Sequence, residues 1–348
     1  MVQGQTPSFQ LATVSDGRGE PYPALITDDR AVAISALASM YPVEGRALRG
    51  AGSLLSVLDS WETTYPALAA MHAHLARDRA AKTTAEQVLM PLSRVQLRAP
   101  IEAPRQIFCS GANYKKHVID LIIDQDSPEN KGMDREQRRV YATQLMDKRA
   151  KSGKPFVFNK CVSAITGPFD AIVLPREAKQ PDWELELGVV IGRPARRVTR
   201  ADALSYVAGY VVVNDITERT LVFRPDIPQM GMDWLSSKSS PTFLPMGPYL
   251  TPAAFVGDPQ NLQLTLKLNG EIKQDESSAD MIFDVARLIE FISASVQLLP
   301  GDLICTGSPS GNGTHYNRFL RPGDVLEGSI SGLGTQRNVC VAEADSER

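Results

Sequence analysis

The stretch WELELGVVIG, residues 183–192, constrains the fold more strongly than any other part of this sequence. Its second half is a continuous apolar run typical of a buried β-strand, but its first half contains Glu184 and Glu186. Side chains alternate between the two faces of a strand, so both carboxylates point one way while Leu185 and Leu187 point the other. Any fold built on this strand must therefore accommodate two acids beside its core.

Two carboxylates so close together on a half-buried strand need compensation, because like charges repel and raise each other's pKa. Solvent, an arginine or lysine partner, or a metal cation could provide it. A third candidate ligand is Asp215, which ends the apolar strand AGYVVVND. Three carboxylates completed by water and substrate oxygens suit Mg²⁺ or Mn²⁺, whereas zinc is disfavoured because these acids have no histidine or cysteine near them in sequence. On spacing alone, the three explanations stay open.

The rest of the chain divides into a small N-terminal part and a larger β-rich part. Short apolar runs separated by turn residues predict small strands over residues 8–40, and helical periodicity over 53–90 predicts helix with an interruption at Pro66. From residue 155 to the end, strand-like runs dominate, with two helical patterns between them. We therefore expect a small N-terminal α+β domain at 1–100 and a mixed α/β, β-rich domain at 101–348.

Residues 120–153 differ from the segments on either side, because charged residues dominate and large aliphatic side chains are few. This composition is typical of a solvent-exposed pair of helices. The segment directly follows a polar turn that contains His117, which also makes it a candidate for a mobile lid. We place that lid at about residues 117–152.

Composition excludes several classes of partner. A net charge of −3 lacks the basic footprint of a nucleic-acid-binding protein, and no apolar run approaches the roughly 18 residues that span a bilayer. The N-terminus MVQGQTPSFQ lacks a basic segment followed by an apolar one, so no signal peptide is predicted. The four cysteines are far apart, which predicts reduced thiols rather than disulfides or a zinc site. We therefore expect a cytoplasmic protein without nucleic-acid or membrane partners.

Seven motifs follow one another in order between about residues 105 and 342. They are GANYKKHVID, KPFVFNK, PDWELELGVVIG, GYVVVNDITER, SSKSSPTFLPMGPYL, LNGEIKQ and LLPGDLICTGSPSGNG. Together they resemble the fumarylacetoacetate hydrolase (fumarylacetoacetase) family, and the N-terminal FQLATVSDGRG resembles the small domain that many members carry. The resemblance implies a fumarylacetoacetase-like catalytic domain, in which mixed β-sheets are rolled into a barrel-like fold with flanking helices. It also implies a homodimer.

The resemblance further implies a divalent ion held by Glu184, Glu186 and Asp215, the same three acids that spacing selects. Mg²⁺ or Mn²⁺ is expected, with Ca²⁺ as a further candidate. A small-molecule 2-oxo acid is the substrate that the family resemblance implies.

Catalytic roles also follow from the resemblance. His117 matches the family's lid histidine, and Asp120 lies one helical turn further on, where it can orient the imidazole and stabilise its charged form. Lys238 matches the lysine that faces the metal-bound substrate. Substrate-binding roles are implied for five further residues: Tyr114, Lys160, Arg219, Thr306 and Gly307. Arg219 is also expected to brace the site.

Two departures from the family pattern bear on the substrate. The acid of the pair is Asp120, one methylene shorter than the usual glutamate, and a long charged insert follows it. Val222 stands where several members have a polar substrate-binding residue, within the rather apolar stretch TLVFRPDIPQMGMDW. Val222 and this apolar stretch favour a substrate with an apolar or aromatic tail over a short dicarboxylate diketone. The shorter Asp120 leaves the geometry of its pair with His117 open, and the insert suggests an altered lid.

The resemblance implies hydrolysis of a C–C bond in an acylpyruvate- or fumarylacetoacetate-like 2-oxo acid or β-diketone, in the catabolism of aromatic or related compounds. A His-x-x-acid pair favours hydrolysis, because an attacking water needs a base. Isomerisation, decarboxylation or hydration of 2-oxo or 2-hydroxy-dienoic acids on the same metal platform is the first alternative. A catalytically inactive binding protein is the second, and retention of the three acids and Lys238 disfavours it.

Overall fold

The structure is a computed structural model, and it describes residues 8–17, 19–81, 84–124 and 127–344. The N-terminal part is built from short strands and three helices. The strands are β1 (Gln10–Ser15), β2 (Tyr22–Thr27), β3 (Arg30–Ala33), β4 (Met90–Pro91) and β5 (Gln96–Leu97). The helices are α1 (Ile34–Met40), α2 (Leu54–Leu58) and α3 (Trp61–Ala80). The predicted small N-terminal α+β unit is therefore confirmed as a fold.

Strands β1 to β5 form one antiparallel sheet in the order β4-β3-β2-β1-β5. Leu11 and Leu25 of this sheet and Leu68 and Met71 of α3 are buried in the same apolar core. Residues with helical spacing on α3 thus cover an apolar face of the sheet that would otherwise be exposed to water.

The helical break predicted at Pro66 lies elsewhere. Helix α2 ends at Leu58, and α3 begins at Trp61 and continues through Pro66. The hydroxyl of Thr64 donates to Val57 O at 2.8 Å and fixes the turn between the two helices. Pro66 lies in the second turn of α3, where it removes one backbone hydrogen bond. Burial of the apolar face that follows Pro66, including Leu68 and Met71, offsets that loss.

The C-terminal part contains the remaining strands and helices. The strands are β6 (Ile107–Gly111), β7 (Phe156–Asn159), β8 (Ile165–Thr166), β9 (Ile172–Leu174), β10 (Pro181–Asp182), β11 (Leu185–Ile191), β12 (Val207–Asn214), β13 (Thr217–Glu218), β14 (Leu244–Pro245), β15 (Thr251–Pro252), β16 (Gln263–Leu268), β17 (Glu271–Ser277), β18 (Leu303–Cys305), β19 (Val325–Ile330) and β20 (Gly334–Ala342). The helices are α4 (Lys115–Asp124), α5 (Arg135–Ser152), α6 (Trp234–Lys238), α7 (Val285–Ser295) and α8 (Gly313–Tyr316).

Two mixed sheets dominate this part. One has the order β15-β12-β11-β18-β6-β7, and the other has the order β17-β16-β19-β20-β9. The two sheets pack so closely at Gly328 of β19 that a Cβ added there would lie 2.8 Å from Leu185 Cδ1 of β11. This arrangement confirms the predicted mixed α/β, β-rich architecture of packed sheets with flanking helices.

Strands β11 and β12 pair antiparallel in the centre of the first sheet. All their residues are buried, as the continuous apolar runs predict. The register pairs Leu185 with Asn214, so the start of β11 lies beside the end of β12. Glu184 and Asp215, one residue beyond each strand end, are thereby brought together, and Asp215 N donates to Glu184 O at 2.8 Å.

The charged segment after residue 120 contains the second half of helix α4 and all of helix α5, which pack against each other; the predicted helix pair thus begins earlier, at Lys115. Helix α5 begins with a capping box in which Asp134 Oδ1 accepts from Gln137 N at 2.8 Å. Arg149 near the end of α5 donates to Ala112 O at 2.7 Å, which ties the pair to the turn after β6. The role of this pair as a lid stays a prediction.

The N-terminal sheet is joined to the C-terminal part through backbone and ring contacts. Leu11 and Leu250 exchange two backbone hydrogen bonds of 2.9 and 2.8 Å, and the rings of Phe9 and Phe255 lie 5.1 Å apart. One apolar core contains residues from both parts. The two parts therefore share a core, and the domain boundary at residue 100 stays a prediction.

Two further sequence expectations concern the four cysteines and the membrane. Cys109, Cys161, Cys305 and Cys340 are free, as their spacing predicts. Among the residues that the structure describes, none of the helices has the length and hydrophobicity that crossing a bilayer requires.

Because the core is shared, we expect Leu11→Ala to destabilise the whole chain. Leu11 is fully buried, and truncation of a buried leucine costs about 2–5 kcal/mol in the free energy of unfolding. Calorimetry or urea unfolding should show one cooperative transition that shifts as a unit. The control Val43→Ala, at a side chain that is 72% exposed, should change the free energy by less than about 0.5 kcal/mol. A separate early transition for the N-terminal part would contradict this view.

Candidate metal centre and cleft

The three acids selected from the sequence come together. Glu184, Glu186 and Asp215 each offer one carboxylate oxygen, and these atoms lie within 4.8 Å of one another. Glu184 and Asp215 meet because of the β11–β12 register, and Glu186 follows Glu184 on the same face of the strand. Solvent, a basic partner and a metal cation were left open as the compensation for these carboxylates. Exposure to solvent is excluded as the sole compensation, because Glu186 and Asp215 are both buried.

Lys238 provides one positive charge at this cluster. It ends helix α6, and its ammonium group lies 2.5 Å from Asp215 Oδ2 and 3.0 Å from Glu184 Oε2. Burial alone would lower the pKa of Lys238, but Asp215 and Glu184 raise it above its ordinary value. The lysine is therefore charged and is held against two of the three acids.

Lys160 supports Asp215 from the opposite side. Its ammonium group donates to Asp215 Oδ1 at 2.6 Å, to Phe243 O at 2.7 Å and to Ile216 O at 3.2 Å. An ammonium group has three hydrogens, and all three have acceptors in the protein. The fully buried side chain does not line the cleft described below. Lys160 therefore supports Asp215 in this structure, and its expected contact with substrate stays a prediction.

Arg219 braces Glu184, as the sequence suggests. Its Nε donates to Asp182 Oδ2 at 2.8 Å, and its Nη2 lies 2.6 Å from Glu184 Oε1. Burial would raise the pKa of Glu184, but Lys238 and Arg219 lower it to about 2. Glu184 is therefore a carboxylate fixed from two sides. Arg219 also lines the cleft, so its implied role in binding substrate stays a proposal.

Glu186 differs from the other two acids because no lysine or arginine in the described ranges forms an ion pair with it. It is 1% exposed, and Gly307 N donates to its Oε2 at 2.7 Å. Burial, followed by the negative charge of Asp215, raises its pKa well above the ordinary value. A buried carboxylate without a cationic partner is costly.

These charges fit a divalent cation. Four acids face three basic side chains at this point: Asp182, Glu184, Glu186 and Asp215 against Lys160, Arg219 and Lys238. When all four acids are ionised, one negative charge is left over at Glu186, so a bound cation would favour the ionised form of that carboxyl group. An all-carboxylate donor set suits Mg²⁺ or Mn²⁺ better than zinc, and Ca²⁺ prefers the same oxygen ligands.

His117 and Asp120 both lie on helix α4, but the structure gives no hydrogen bond between them. The carboxylate of Asp120 instead accepts from Ser310 Oγ at 2.7 Å. His117 lines the cleft, where burial lowers its pKa to about 4 although Glu184 acts in the opposite direction. Its imidazole is therefore neutral near pH 7 and can accept a proton.

Tyr114, Thr306 and Gly307, which were expected to bind substrate, lie behind the cleft rather than on its surface. Tyr114 and Thr306 are fully buried, and the Thr306 hydroxyl donates to Leu187 O at 2.9 Å. Gly307 has a φ of +97°, and a Cβ there would lie 2.8 Å from Asn113 Cβ. Only glycine is free of strain at that φ, and it lets the Gly307 N–H reach Glu186. These residues support the cleft from behind, and their expected contact with substrate stays a prediction.

A cleft of about 410 Å³ opens above the acids. Sequence reasoning missed two of its polar residues, Ser110 and Asn312. The Ser110 Oγ and Asn312 Oδ1 atoms are buried and have no hydrogen-bond partner in the described chain. A usable signal existed, since Ser110 directly precedes GANYKKHVID and Asn312 lies within LLPGDLICTGSPSGNG.

Comparison with known proteins returns one family model and several relatives. The model described as "Fumarylacetoacetate (FAA) hydrolase C-terminal" matches residues 106–341. A 2,4-didehydro-3-deoxy-L-rhamnonate hydrolase of Sphingomonas sp. (strain SKA58) is 38% identical over 263 residues, which are 74% of this chain and 81% of that protein. The mitochondrial oxaloacetate tautomerase Fahd2a of Rattus norvegicus is 34% identical over 259 residues, which are 74% of this chain and 73% of that protein.

The fold also matches a solved structure along nearly its whole length. A crystal structure of a protein assigned as HpcE from Mycobacterium smegmatis superposes with a TM-score of 0.71 and 29% identity. The match covers 96% of this chain and all of that one. It therefore includes the N-terminal part as well as the region matched by the family model.

Glu186→Gln should weaken Mn²⁺ binding without unfolding the protein. Glutamine has the same shape and keeps an oxygen for the Gly307 N–H, so the melting temperature should not fall. Loss of one of three ligands should weaken Mn²⁺ binding by at least about tenfold, since changes around metal ligands already cost on the order of 10–100-fold. Titration calorimetry with Mn²⁺ would measure this.

The matched control is Glu271→Gln, whose side chain is 74% exposed and pairs with Lys273. It should bind Mn²⁺ like the wild type. Equal Mn²⁺ affinity in wild type and Glu186→Gln would show that Glu186 is not a ligand.

Proposed function

Because the chain belongs to the fumarylacetoacetate hydrolase family, we propose that it is a divalent-metal-dependent hydrolase of acylpyruvate-type 2-oxo acids, acting in the catabolism of aromatic or related compounds. The reaction cleaves the C–C bond beside the distal carbonyl. One cleft brings together a carboxylate cluster, a charged lysine and a neutral histidine, and this observation carries the proposal. A relative named as a hydrolase of a deoxy-sugar acid supports it.

Glu184, Glu186 and Asp215 would hold Mg²⁺ or Mn²⁺. When bound there, such an ion supplies Lewis-acid polarisation of the 2-oxo group and stabilises the negative charge that develops during cleavage. Lys238 lies against two of these carboxylates and adds fixed positive charge at the same place. Positive groups positioned in advance, in a site shielded from water, stabilise developing charge with little reorganisation.

His117 is the group that moves the proton. Its neutral imidazole takes a proton from a water molecule as that water attacks the distal carbonyl. The C–C bond then breaks, the hydroxyl remains with the carboxylic acid product, and the proton passes to the methylene carbon that becomes the methyl group of pyruvate. The carboxylates of Glu184 and Asp120 stabilise the imidazolium formed in between.

Asp120 acts on His117 through charge rather than through a direct hydrogen bond. Its hydrogen bond to Ser310 ties helix α4 to the loop that contains Gly307, the residue that donates to Glu186. We propose that Asp120 is a positioning residue, which places the histidine relative to the acids.

Keto–enol tautomerisation is the second candidate, within the alternative group of isomerases, decarboxylases and hydratases. Tautomerisation needs a group that moves a proton but does not need an attacking water. His117 can move that proton without a hydrogen bond to Asp120. The oxaloacetate tautomerase at 34% identity and the missing His117–Asp120 hydrogen bond favour it. A catalytically inactive binding protein is disfavoured by retention of the whole cluster in an open cleft.

A panel of acylpyruvates and oxaloacetate, assayed with Mg²⁺ or Mn²⁺ and product masses, separates these reactions. Addition of water with chain scission identifies a hydrolase, loss of CO₂ a decarboxylase, and unchanged mass with altered ultraviolet absorbance a tautomerase. The homodimer and the cytoplasmic location implied above stay predictions, and light scattering would test the first.

His117→Ala should lower kcat for acylpyruvate hydrolysis by about 10²–10⁴-fold, the usual contribution of a general base. Mn²⁺ affinity should be unchanged, because His117 is not among the proposed ligands. The control His74→Ala, on α3 in the N-terminal part, should retain full activity. If His117→Ala hydrolysed acylpyruvates at the wild-type rate while binding Mn²⁺ normally, the base would have to be another group.

A further inference from the structure

We propose that the acyl end of the substrate is apolar and uncharged, and that the arm formed by residues 219–235 selects it against substrates with a second carboxylate. This inference rests on the proposed function, which supplies the 2-oxo acid end of the same molecule. It concerns the opposite end, which the cluster of acids does not contact.

The cleft changes in character from its floor to its mouth. Polar and charged groups, including His117 and Lys238, form the floor. The walls above them are mainly apolar, and their lining residues include Phe158, Val222, Phe223, Met232 and Trp234. A cleft of about 410 Å³ falls within the roughly 300–1,000 Å³ typical of small-molecule sites. It therefore has room for a tail beyond a bound 2-oxo acid.

The cleft offers no spare cation for a second carboxylate. Among the described residues that line it, the lysine and arginine side chains are Lys238 and Arg219, and both already pair with acids at the floor. Arg224 on the arm does not line the cleft and pairs with Asp226 and Asp233. A second carboxylate on the apolar walls would lose its water without gaining an ion pair, which is unfavourable.

Aromatic rings connect the floor to the mouth. The Phe158 and Trp234 rings are stacked with centroids 4.4 Å apart and 12° between their planes. The ammonium group of Lys238 lies 5.6 Å from the Phe158 centroid. A tail that extends from a 2-oxo acid near Lys238 thus meets an aromatic surface, which suits alkyl or aryl groups.

The mouth of the cleft exposes apolar side chains that a tail would cover. Phe223 is 64% and Met232 46% exposed, and their backbones form an isolated bridge across the arm. The backbone N–H of Asp233 donates to Val222 O at 2.8 Å, which also fixes the arm. An arm already folded in this way loses little conformational freedom when a tail binds. Burial of its exposed apolar surface would favour the complex.

Two substrates matched in shape test the inference. Succinylpyruvate ends in a carboxylate, and isocaproylpyruvate carries an isopropyl group of similar size at the same place. With the Mg²⁺-loaded protein, kcat/KM should be at least about tenfold higher for isocaproylpyruvate, which is the scale on which polar and apolar contacts discriminate substrates. Equal values, or a preference for succinylpyruvate, would overturn the inference.

Phe223→Arg should reduce that preference by at least about tenfold, because it places a cation at the lining of the cleft without disturbing the floor. The matched control is Met230→Arg, which adds the same charge to the same arm at a residue that is 77% exposed and does not line the cleft. It should leave the ratio within about twofold of the wild type. Equal changes in both variants would mean that general electrostatic attraction, rather than the arm's apolar surface, sets the preference.

A binding measurement separates this inference from the proposed reaction. The corresponding saturated 2-oxo acids lack the distal carbonyl and cannot be cleaved, so calorimetry gives their affinities directly. Tighter binding of the isopropyl-ended acid supports the inference even if neither acylpyruvate is hydrolysed, an outcome that would refute the hydrolase alone. Tighter or equal binding of the acid with two carboxylates refutes the inference whether or not hydrolysis occurs.

Discussion

The structure depends on how a cluster of buried acids is held at the junction of two central strands. The β11–β12 register places Glu184 beside Asp215, and Glu186 follows on the same face. Lys160 and Lys238 contact Asp215 from two sides, so elements far apart in the chain converge on one carboxylate. Glu186 has no ion-pair partner among the described residues, so this arrangement leaves a place for a cation beside it.

Patterns within one stretch of chain predicted much of this arrangement. Alternation along the strand placed Glu184 and Glu186 on one face, and the apolar strand before Asp215 identified the third acid. Both depend only on local geometry. Ordered motifs then supplied the fold family, which no single spacing could have done.

Contacts between distant segments explain what sequence reasoning missed. The Asp120–Ser310 hydrogen bond joins residues 190 positions apart, and nothing near Asp120 indicates that its partner would be other than His117. Lys160 does not line the cleft, because its ammonium group donates its other two hydrogen bonds to Phe243 O and Ile216 O. The path of α3 through Pro66 depends likewise on burial against a sheet that the helix does not belong to.

The paired backbone hydrogen bonds between Leu11 and Leu250 also bear on solubility. Leu250 directly precedes β15, the outermost strand on one side of the six-stranded sheet. An uncovered sheet edge can add a strand from another molecule and begin aggregation. The N-terminal part occupies some of that edge with its own strand β1. Backbone groups that another molecule could pair with are therefore partly occupied within the same chain.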